Sequence, residues 1–303
     1  MTLGYCSRLI CISLASYFLI HTFIGALVSL AAGRAVRSAE RWRPAVAARR
    51  LFTLRLLPAI GGVFVVAGVC LPSYIALEPS GFTERAGFGC IAAACCGAVL
   101  WMCSLARGVR AAVGSALFVR RADNGPVLAL SGIVHPRLEI SRDARRVLSR
   151  EELEVALRHE RAHWSSQDNL KHLCMLLAPA VLPFGGTTVS LERGWKKFAE
   201  WAADDRAVGG DQRQSVALAS ALVRVARLTR GMPQPALVRR LSGDERELAA
   251  RVQRLLNPEP APRPSHWTAL PAGAALFAAG ALAAIMQPAA LLAVHRALER
   301  LIE

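Results

Sequence analysis

Long apolar blocks alternate with arginine-rich segments along this chain of 303 residues. Three apolar blocks lie in the first third, at about 9–32, 56–77 and 88–106, and a fourth lies at about 267–286. A helix of about 20 residues is needed to cross a hydrocarbon core roughly 30 Å thick, and each block is close to that length. The pattern therefore predicts a multi-pass membrane protein. Its membrane domain covers residues 1–106 with three transmembrane helices.

The basic residues between the blocks predict how the chain is oriented. Seven arginines and a single acid, Glu40, lie between residues 34 and 55. Because cytoplasmic loops carry an excess of Lys and Arg, this loop is expected in the cytoplasm and the loop from Glu78 to Arg85 outside. Further arginines at 107, 110, 120 and 121 mark the return of the chain to the cytoplasm. The expected location is the cell membrane, with the middle of the chain on the cytoplasmic side.

The middle of the chain, residues 107–257, is more polar and predicts a cytoplasmic domain. Residues 126–140 are typical of two short strands around a turn. Ser149 followed by Glu152 forms a capping-box pattern, so a helix is expected from Arg150. Further helices are expected over 195–208, 215–228 and 244–256, followed by a proline-rich linker at 258–266 and a C-terminal transmembrane helix with a short tail at 267–303.

Charge and cysteine content narrow the function classes. The formal charge is +15 and 53% of residues are hydrophobic. Arginines that flank membrane spans account for this charge, and no nucleic-acid recognition motif is present, so the lipid bilayer is the expected partner and nucleic acid is not. The eight cysteines lie mostly in apolar blocks, and none forms a C-x-x-C pair. This spacing excludes a zinc ribbon and a thioredoxin-type motif.

Candidate chemistry is concentrated in one helix. His159-Glu160-Arg161-Ala162-His163 has the form H-E-x-x-H. Residues four apart lie on the same face of a helix, so both imidazoles can bind one zinc ion. Glu160 lies beside the same face and is the candidate general base.

A third ligand is needed, because catalytic zinc sites use three protein ligands and leave a fourth position open. Glu200 and Asp204 are again four apart on a predicted helix. Such a pair alone is usually a solvated helix face, but after an H-E-x-x-H helix it is a candidate for the remaining ligand. Three other histidines have simpler interpretations. His172 is expected to be a polar residue at the membrane interface, His135 a turn residue, and His21 an imidazole packed inside a span.

The stretches at 159–170 and 200–207 resemble the membrane gluzincin peptidases, above all the BlaR/MecR-type family of antibiotic-sensor metallopeptidases. The resemblance covers about 126–256. It departs at 164–167, where the family often has basic residues, and it includes no penicillin-binding sensor domain, so it does not imply antibiotic sensing. HtpX-type proteases share the two short motifs but fit the first half less well.

The resemblance implies a mainly α-helical membrane protein whose cytoplasmic domain is a zincin-like metallopeptidase with a small β-sheet. It implies one zinc ion per chain and a β-strand that pairs with the substrate backbone. The implied roles are zinc ligands for His159, His163 and Glu200, base for Glu160, an orienting carboxylate for Asp204 and substrate contact for Leu128, Ala129 and Leu130.

The expected function is zinc-dependent hydrolysis of peptide bonds in cytosolic or membrane-proximal proteins, such as a transcriptional repressor or the chain itself. Two alternatives remain. One is quality control of membrane proteins in the manner of HtpX. The other is a signalling protein that binds zinc without turnover, although such a protein has no need of a base at Glu160.

The apolar segment 173–189 is not expected to cross the membrane in a single pass. His163 precedes it and Glu200 follows it, and both must reach one ion at about 2 Å. A single crossing would separate them by a core of roughly 30 Å. Pro179, Pro183 and the Gly185-Gly186 pair favour a break. We therefore predict a segment that enters or skims the membrane, breaks near Pro183 and returns.

Overall fold

The protein is mostly helical in the computed structural model. The structure describes residues 2–78, 84–121, 128–131, 137–140, 142–182, 185–228, 239–240, 245–257 and 288–302. The helices are α1 (Tyr5–Ala39), α2 (Pro44–Val65), α3 (Leu71–Leu77), α4 (Phe88–Arg121), α5 (Arg142–Val147), α6 (Arg150–Ser166), α7 (Asp168–Leu177), α8 (Gly185–Val208), α9 (Gln212–Leu228), α10 (Glu245–Leu256) and α11 (Pro288–Ile302). The strands are β1 (Thr2–Leu3), β2 (Glu84–Arg85), β3 (Leu128–Ser131), β4 (Arg137–Ile140) and β5 (Arg239–Arg240).

Three helices are long and apolar enough to span a membrane, at Tyr5–Ala39, Pro44–Leu77 and Phe88–Leu117. Large apolar side chains on them stay exposed, among them Phe23 and Met102. Extensive exposed apolar surface of this kind marks contact with lipid rather than water. The chain therefore has the character of a membrane protein. The predicted linker at 258–266 and span at 267–286 lie outside the described residues.

The helices extend beyond the apolar blocks that predicted them. α1 continues to Ala39 and α4 to Arg121, through segments rich in arginine. Arginine is a good helix former, so the end of an apolar block marks a change of solvent rather than the end of a helix.

The second long helix contains one irregular turn. Residues Val66–Cys70 form a π-helical turn between α2 and α3. Pro72 follows directly and has no amide hydrogen to donate to the preceding turn, which favours irregular backbone at this point. Apolar periodicity gives no indication of such a turn.

The capping box at the start of α6 is confirmed. The Ser149 hydroxyl accepts from the Glu152 amide at 3.2 Å, and the Ser149 amide donates to Glu152 Oε2 at 2.8 Å. α6 ends at Ser166, and Gln167 adopts a left-handed conformation with φ 53°. α7 begins at the next residue, so the chain turns immediately after the second histidine of the motif.

The apolar segment 173–189 is not a single helix. α7 ends at Leu177, residues 178–182 are non-helical, and α8 begins at Gly185, ten residues before the predicted start at 195. Arg55 of α2 is fully buried at this break and donates to the carbonyl oxygens of Met175, Ala178 and Pro179 at 2.8, 3.1 and 3.0 Å. Its side chain satisfies the carbonyls that the end of α7 leaves open.

The apolar core runs without interruption from the membrane helices into the middle of the chain. Leu51 of α2 and Val28 of α1 belong to one buried cluster with Trp195 and Phe198 of α8. A second cluster joins α6, α9 and α10 around Leu222. α8 therefore packs against the bundle on one side and against α6 on the other.

The residues expected to form the short tail include a helix. Residues 288–302 form α11, a helix of 15 residues that packs against the bundle. Leu298 is buried in a cluster with Ile12 and Tyr74, and the Ser73 hydroxyl donates to the Leu291 carbonyl at 2.8 Å. Apolar side chains at helical spacing explain the docking.

Candidate metal centre

Two helices bring three candidate ligands together. α6 supplies His159 and His163, and α8 supplies Glu200. The two Nε2 atoms lie 3.1 Å apart, and Glu200 Oε2 lies 3.6 Å from each of them. All three residues are buried. The four-residue spacing in α6 thus places both imidazoles on the face that packs against α8.

The triangle has the dimensions of a zinc site. Zn–N and Zn–O bonds of about 2.0–2.1 Å in a tetrahedron place neighbouring ligand atoms about 3.3–3.4 Å apart. The three edges here, 3.1, 3.6 and 3.6 Å, bracket that value. Two imidazoles and one carboxylate are also the donor set of one type of catalytic zinc site. The residues present therefore fit a zinc ion without rearrangement of the backbone.

Each imidazole is held from behind by a carboxylate. His159 Nδ1 lies 2.9 Å from Asp204 Oδ1, and His163 Nδ1 lies 2.7 Å from Asp168 Oδ2. Such contacts fix the tautomer, so that Nε2 faces the other ligands. The role expected for Asp204 matches this position. Asp168 was noted in sequence only as part of the resemblance, and the left-handed turn at Gln167 is what brings it back to His163.

The carboxylates also set the proton affinity of His159. Burial alone would lower the pKa of His159, but the hydrogen bonds to Asp204 and Glu200 outweigh it and raise this pKa to about 9. Burial would raise the pKa of Asp204, whereas the charge of Arg251 and the contact with His159 lower it to about 2. Asp204 is therefore ionised; it accepts from Arg251 and lies 2.9 Å from His159 Nδ1.

Sequence reasoning missed Arg251 of α10. Its guanidinium is buried and makes two contacts with Asp204, at 2.9 Å from Nε to Oδ2 and 2.7 Å from Nη2 to Oδ1. Its Nη1 lies 3.1 Å from Glu200 Oε2. Burial lowers the pKa of Arg251, yet the carboxylates of Asp204 and Glu200 raise it overall. The sequence did not indicate this role, because Arg251 is one of several arginines on a polar helix.

Glu160, which lies between the candidate ligands His159 and His163 in the sequence, is buried, with only 1% of its surface exposed. Its charge is close enough to Arg251 to contribute to that residue's raised pKa. A carboxylate in this position is suited to accept a proton from a group held at the ligand triangle.

The remaining histidines that the structure describes lie away from the centre. The His172 ring packs beside Trp195, with 5.8 Å between ring centroids. His21 is buried in the bundle, and its Nε2 lies 2.8 Å from the Ala180 carbonyl at the break after α7. His135 lies outside the described residues.

The strand expected to contact substrate has neighbours on both sides. β3 pairs antiparallel with β4, with Leu128 opposite Ile140, and with β5, with Ala129 opposite Arg240. The strand order is β4-β3-β5. A substrate could therefore add to the β3 edge near Leu130 only if β5 were displaced.

Comparison with family models, with curated proteins and with solved structures found no match to this chain.

Proposed function

We propose that this protein is a membrane zinc endopeptidase, with zinc held by His159, His163 and Glu200 and with Glu160 as the general base. The observation that carries the proposal is the buried triangle of ligand atoms with edges of 3.1, 3.6 and 3.6 Å. Glu160 lies between His159 and His163 in the sequence and is not one of the three proposed ligands.

When bound, a zinc ion would supply Lewis acidity that polarises a peptide carbonyl and brings the pKa of water toward neutrality. The chain supplies the rest. Asp204 and Asp168 hold the imidazoles with Nε2 toward the triangle, and Arg251 holds the Glu200 carboxylate. Glu160 accepts a proton from the attacking water and returns it to the leaving amine.

The proposed substrates are proteins or peptides close to the bilayer. The core that joins Leu51 to Trp195 and Phe198 keeps α8, and with it Glu200, against the membrane helices. Arg55 fixes the break after α7 at the same place. These contacts support a re-entrant or membrane-skimming path for residues 173–189. The sheet β4-β3-β5, in which β3 contacts α6, supports a zincin-like domain.

We place the metal centre on the cytoplasmic side, following the arginine-rich segment between 34 and 55. The partners then include cytosolic or membrane-proximal proteins, with a transcriptional repressor as one candidate, and no nucleic acid. α1 ends close to the centre, because Glu40 Oε1 lies 2.9 Å from Lys197 Nζ, three residues before Glu200.

The test is the Glu160→Gln variant of the full chain in detergent, with zinc content and cleavage of an unfolded protein measured together. The variant should retain zinc, because Glu160 is not a ligand, and lose cleavage by about 10²-fold or more. Glu154→Gln, on the exposed side of the same helix, is the matched control and should change neither. Equal cleavage by Glu160→Gln and the unmodified protein would refute the peptidase proposal. Zinc binding without any cleavage by the unmodified protein would favour the non-catalytic alternative.

A further inference from the structure

A second group of histidine and glutamate side chains lies at the other end of the bundle. His295 of α11 faces Glu78, which follows α3, and Glu299, one turn further along α11. His295 Nε2 lies 3.6 Å from Glu78 Oε2 and 3.3 Å from Glu299 Oε1. One ligand atom from each residue falls within 4.8 Å of the others. These separations are close to the ligand–ligand distances in the first triangle.

The group is enclosed, and its imidazole is incompletely satisfied. The side chains of His295 and Glu78 are 9% and 7% exposed, and that of Glu299 is 53% exposed. Among the residues that the structure describes, His295 Nδ1 is buried without a hydrogen-bond partner. Nδ1 is on the other side of the ring, and the atom that faces Glu78 and Glu299 is Nε2, so a metal in this group would bind through Nε2. The exposed Glu299 side chain is free to adjust to such a ligand.

A buried arginine orients the glutamate, as in the first site. Arg8 contacts Glu78 Oε1 through Nη2 and donates from Nε to the Tyr74 hydroxyl at 2.7 Å. The other oxygen, Oε2, is the one that faces His295. Arg251 holds Glu200 in a comparable manner. Carboxylates that ligate metals are commonly fixed by a hydrogen-bond donor behind them.

The surrounding backbone is irregular in a way that is frequent at functional sites. The π-helical turn Val66–Cys70 lies just before Ser73 and Glu78, and α11 packs against this turn. π-Helical turns inside α-helices are frequent at functional sites. The bond from Ser73 to Leu291 fixes α11 so that His295 lies over Glu78.

We propose that Glu78, His295 and Glu299 form a binding site for a second divalent transition-metal ion, on the opposite face of the membrane from the first. Arg8 lies near the start of α1, and Ala39 ends it beside the first centre. Those 31 residues correspond to about 47 Å at 1.5 Å per residue, which exceeds the roughly 30 Å hydrocarbon core. One imidazole and two carboxylates suit zinc. The ion joins the second membrane helix to α11, so the chain binds two ions instead of one.

The test is zinc stoichiometry of the full chain in detergent, after dialysis against buffered zinc. The unmodified protein should bind two equivalents, His295→Ala one, His163→Ala one, and the double variant none. His172→Ala is the matched control and should bind two, because that ring packs beside Trp195 and belongs to neither candidate group. Glu299→Gln, a half-exposed position that tolerates substitution, should weaken one equivalent by about tenfold or more and leave the other unchanged.

The outcomes separate this site from the first one. One equivalent in the unmodified protein, kept in His295→Ala and lost in His163→Ala, would overturn the second site and leave the proposed peptidase centre intact. Loss of one equivalent in His295→Ala, with none lost in His163→Ala, would keep the second site and overturn the proposed peptidase centre. Zinc binding that changes only with pH, and is the same in His295→Ala as in the unmodified protein, would also overturn the proposal.

Discussion

Arg251 and Asp204 form a buried, two-pronged ion pair directly behind His159. The pair joins α10 to the proposed metal ligands, although 47 residues separate its members in sequence. Asp204 accepts from Arg251 on one side and lies 2.9 Å from His159 Nδ1 on the other, so one carboxylate contacts both the candidate ligand imidazole and the helix α10.

The first prediction concerns this ion pair. Arg251→Met should lower the free energy of unfolding by about 3–5 kcal/mol, because it leaves a buried carboxylate without its partner. Arg254→Met is the control: that residue pairs with Asp205 at the surface, where loss of the pair should cost at most about 1 kcal/mol. Denaturant unfolding with a metal chelator present measures both. Equal losses in the two variants would contradict the central role of Arg251.

The second prediction concerns the carboxylates behind the histidines. Asp168→Asn and Asp204→Asn should each weaken zinc affinity by about 10–100-fold, since each removes the acceptor that orients one imidazole. Asp205→Asn, next to Asp204 but at the surface, should have no effect. Competition with a zinc-binding dye provides the affinities. An unchanged affinity in Asp168→Asn would show that His163 does not depend on this contact.

The third prediction concerns the third ligand. Glu200→Ala should remove most of the zinc bound at this centre, whereas Asp205→Ala, an exposed carboxylate on the same helix, should retain it. The change removes one of three protein ligands, so the loss should exceed that caused by the aspartate variants. Metal analysis of the purified variants decides the matter. A Glu200→Ala protein with full zinc content would require a different ligand set.

The fourth prediction concerns pH and the start of α6. Burial would raise the pKa of Glu152, but hydrogen bonds from Ser220 and Ser149 and the charge of Arg224 outweigh it and lower this pKa below 4.5. The folded state therefore favours the ionised form, so the stabilisation is complete above about pH 4.5 and disappears as the pH falls through the lowered folded-state value. Glu152→Gln should flatten the fall in stability over this acid range. Thermal unfolding at several pH values measures it, and an identical pH dependence in the variant would exclude Glu152 as a source.

The fifth prediction concerns sidedness. In a cysteine-free background, Arg43→Cys should react with a membrane-impermeant thiol reagent only from the cytoplasmic side, and Gly81→Cys only from outside. Labelling of intact cells against opened vesicles distinguishes the two. The reverse pattern would invert the orientation and move the proposed metal centre outside.

The sequence was most informative where function depends on local spacing. His159 with His163 and Glu200 with Asp204 each lie four apart on one helix, and that spacing predicts a shared face without knowledge of the fold. Arg251 could not be found in this way, because its role depends on the packing of α10 against α8. The pairing of Asp168 with His163 depends in turn on one left-handed residue.

The candidate membrane helices were also predicted only in part. Hydropathy predicted three of them, because the length of an apolar block is set by the thickness of the bilayer. It could not predict the π-helical turn at 66–70 or the docking of α11, since both depend on contacts between distant segments. The role of Arg55 was likewise not predicted, because its partners are backbone carbonyls more than a hundred residues away.

The buried cluster that includes Leu51, Trp195 and Phe198 has a practical consequence for anyone who wishes to isolate the half of the chain that carries the proposed metal centre. A fragment that begins after α4 would leave one whole side of α8 facing water, and the carbonyls after α7 would lose the arginine that now satisfies them. Such a fragment should aggregate or remain unfolded. The long apolar helices and the proposed metal centre should then fold as one cooperative unit, and removing these helices should remove the fold on which the candidate ligands depend.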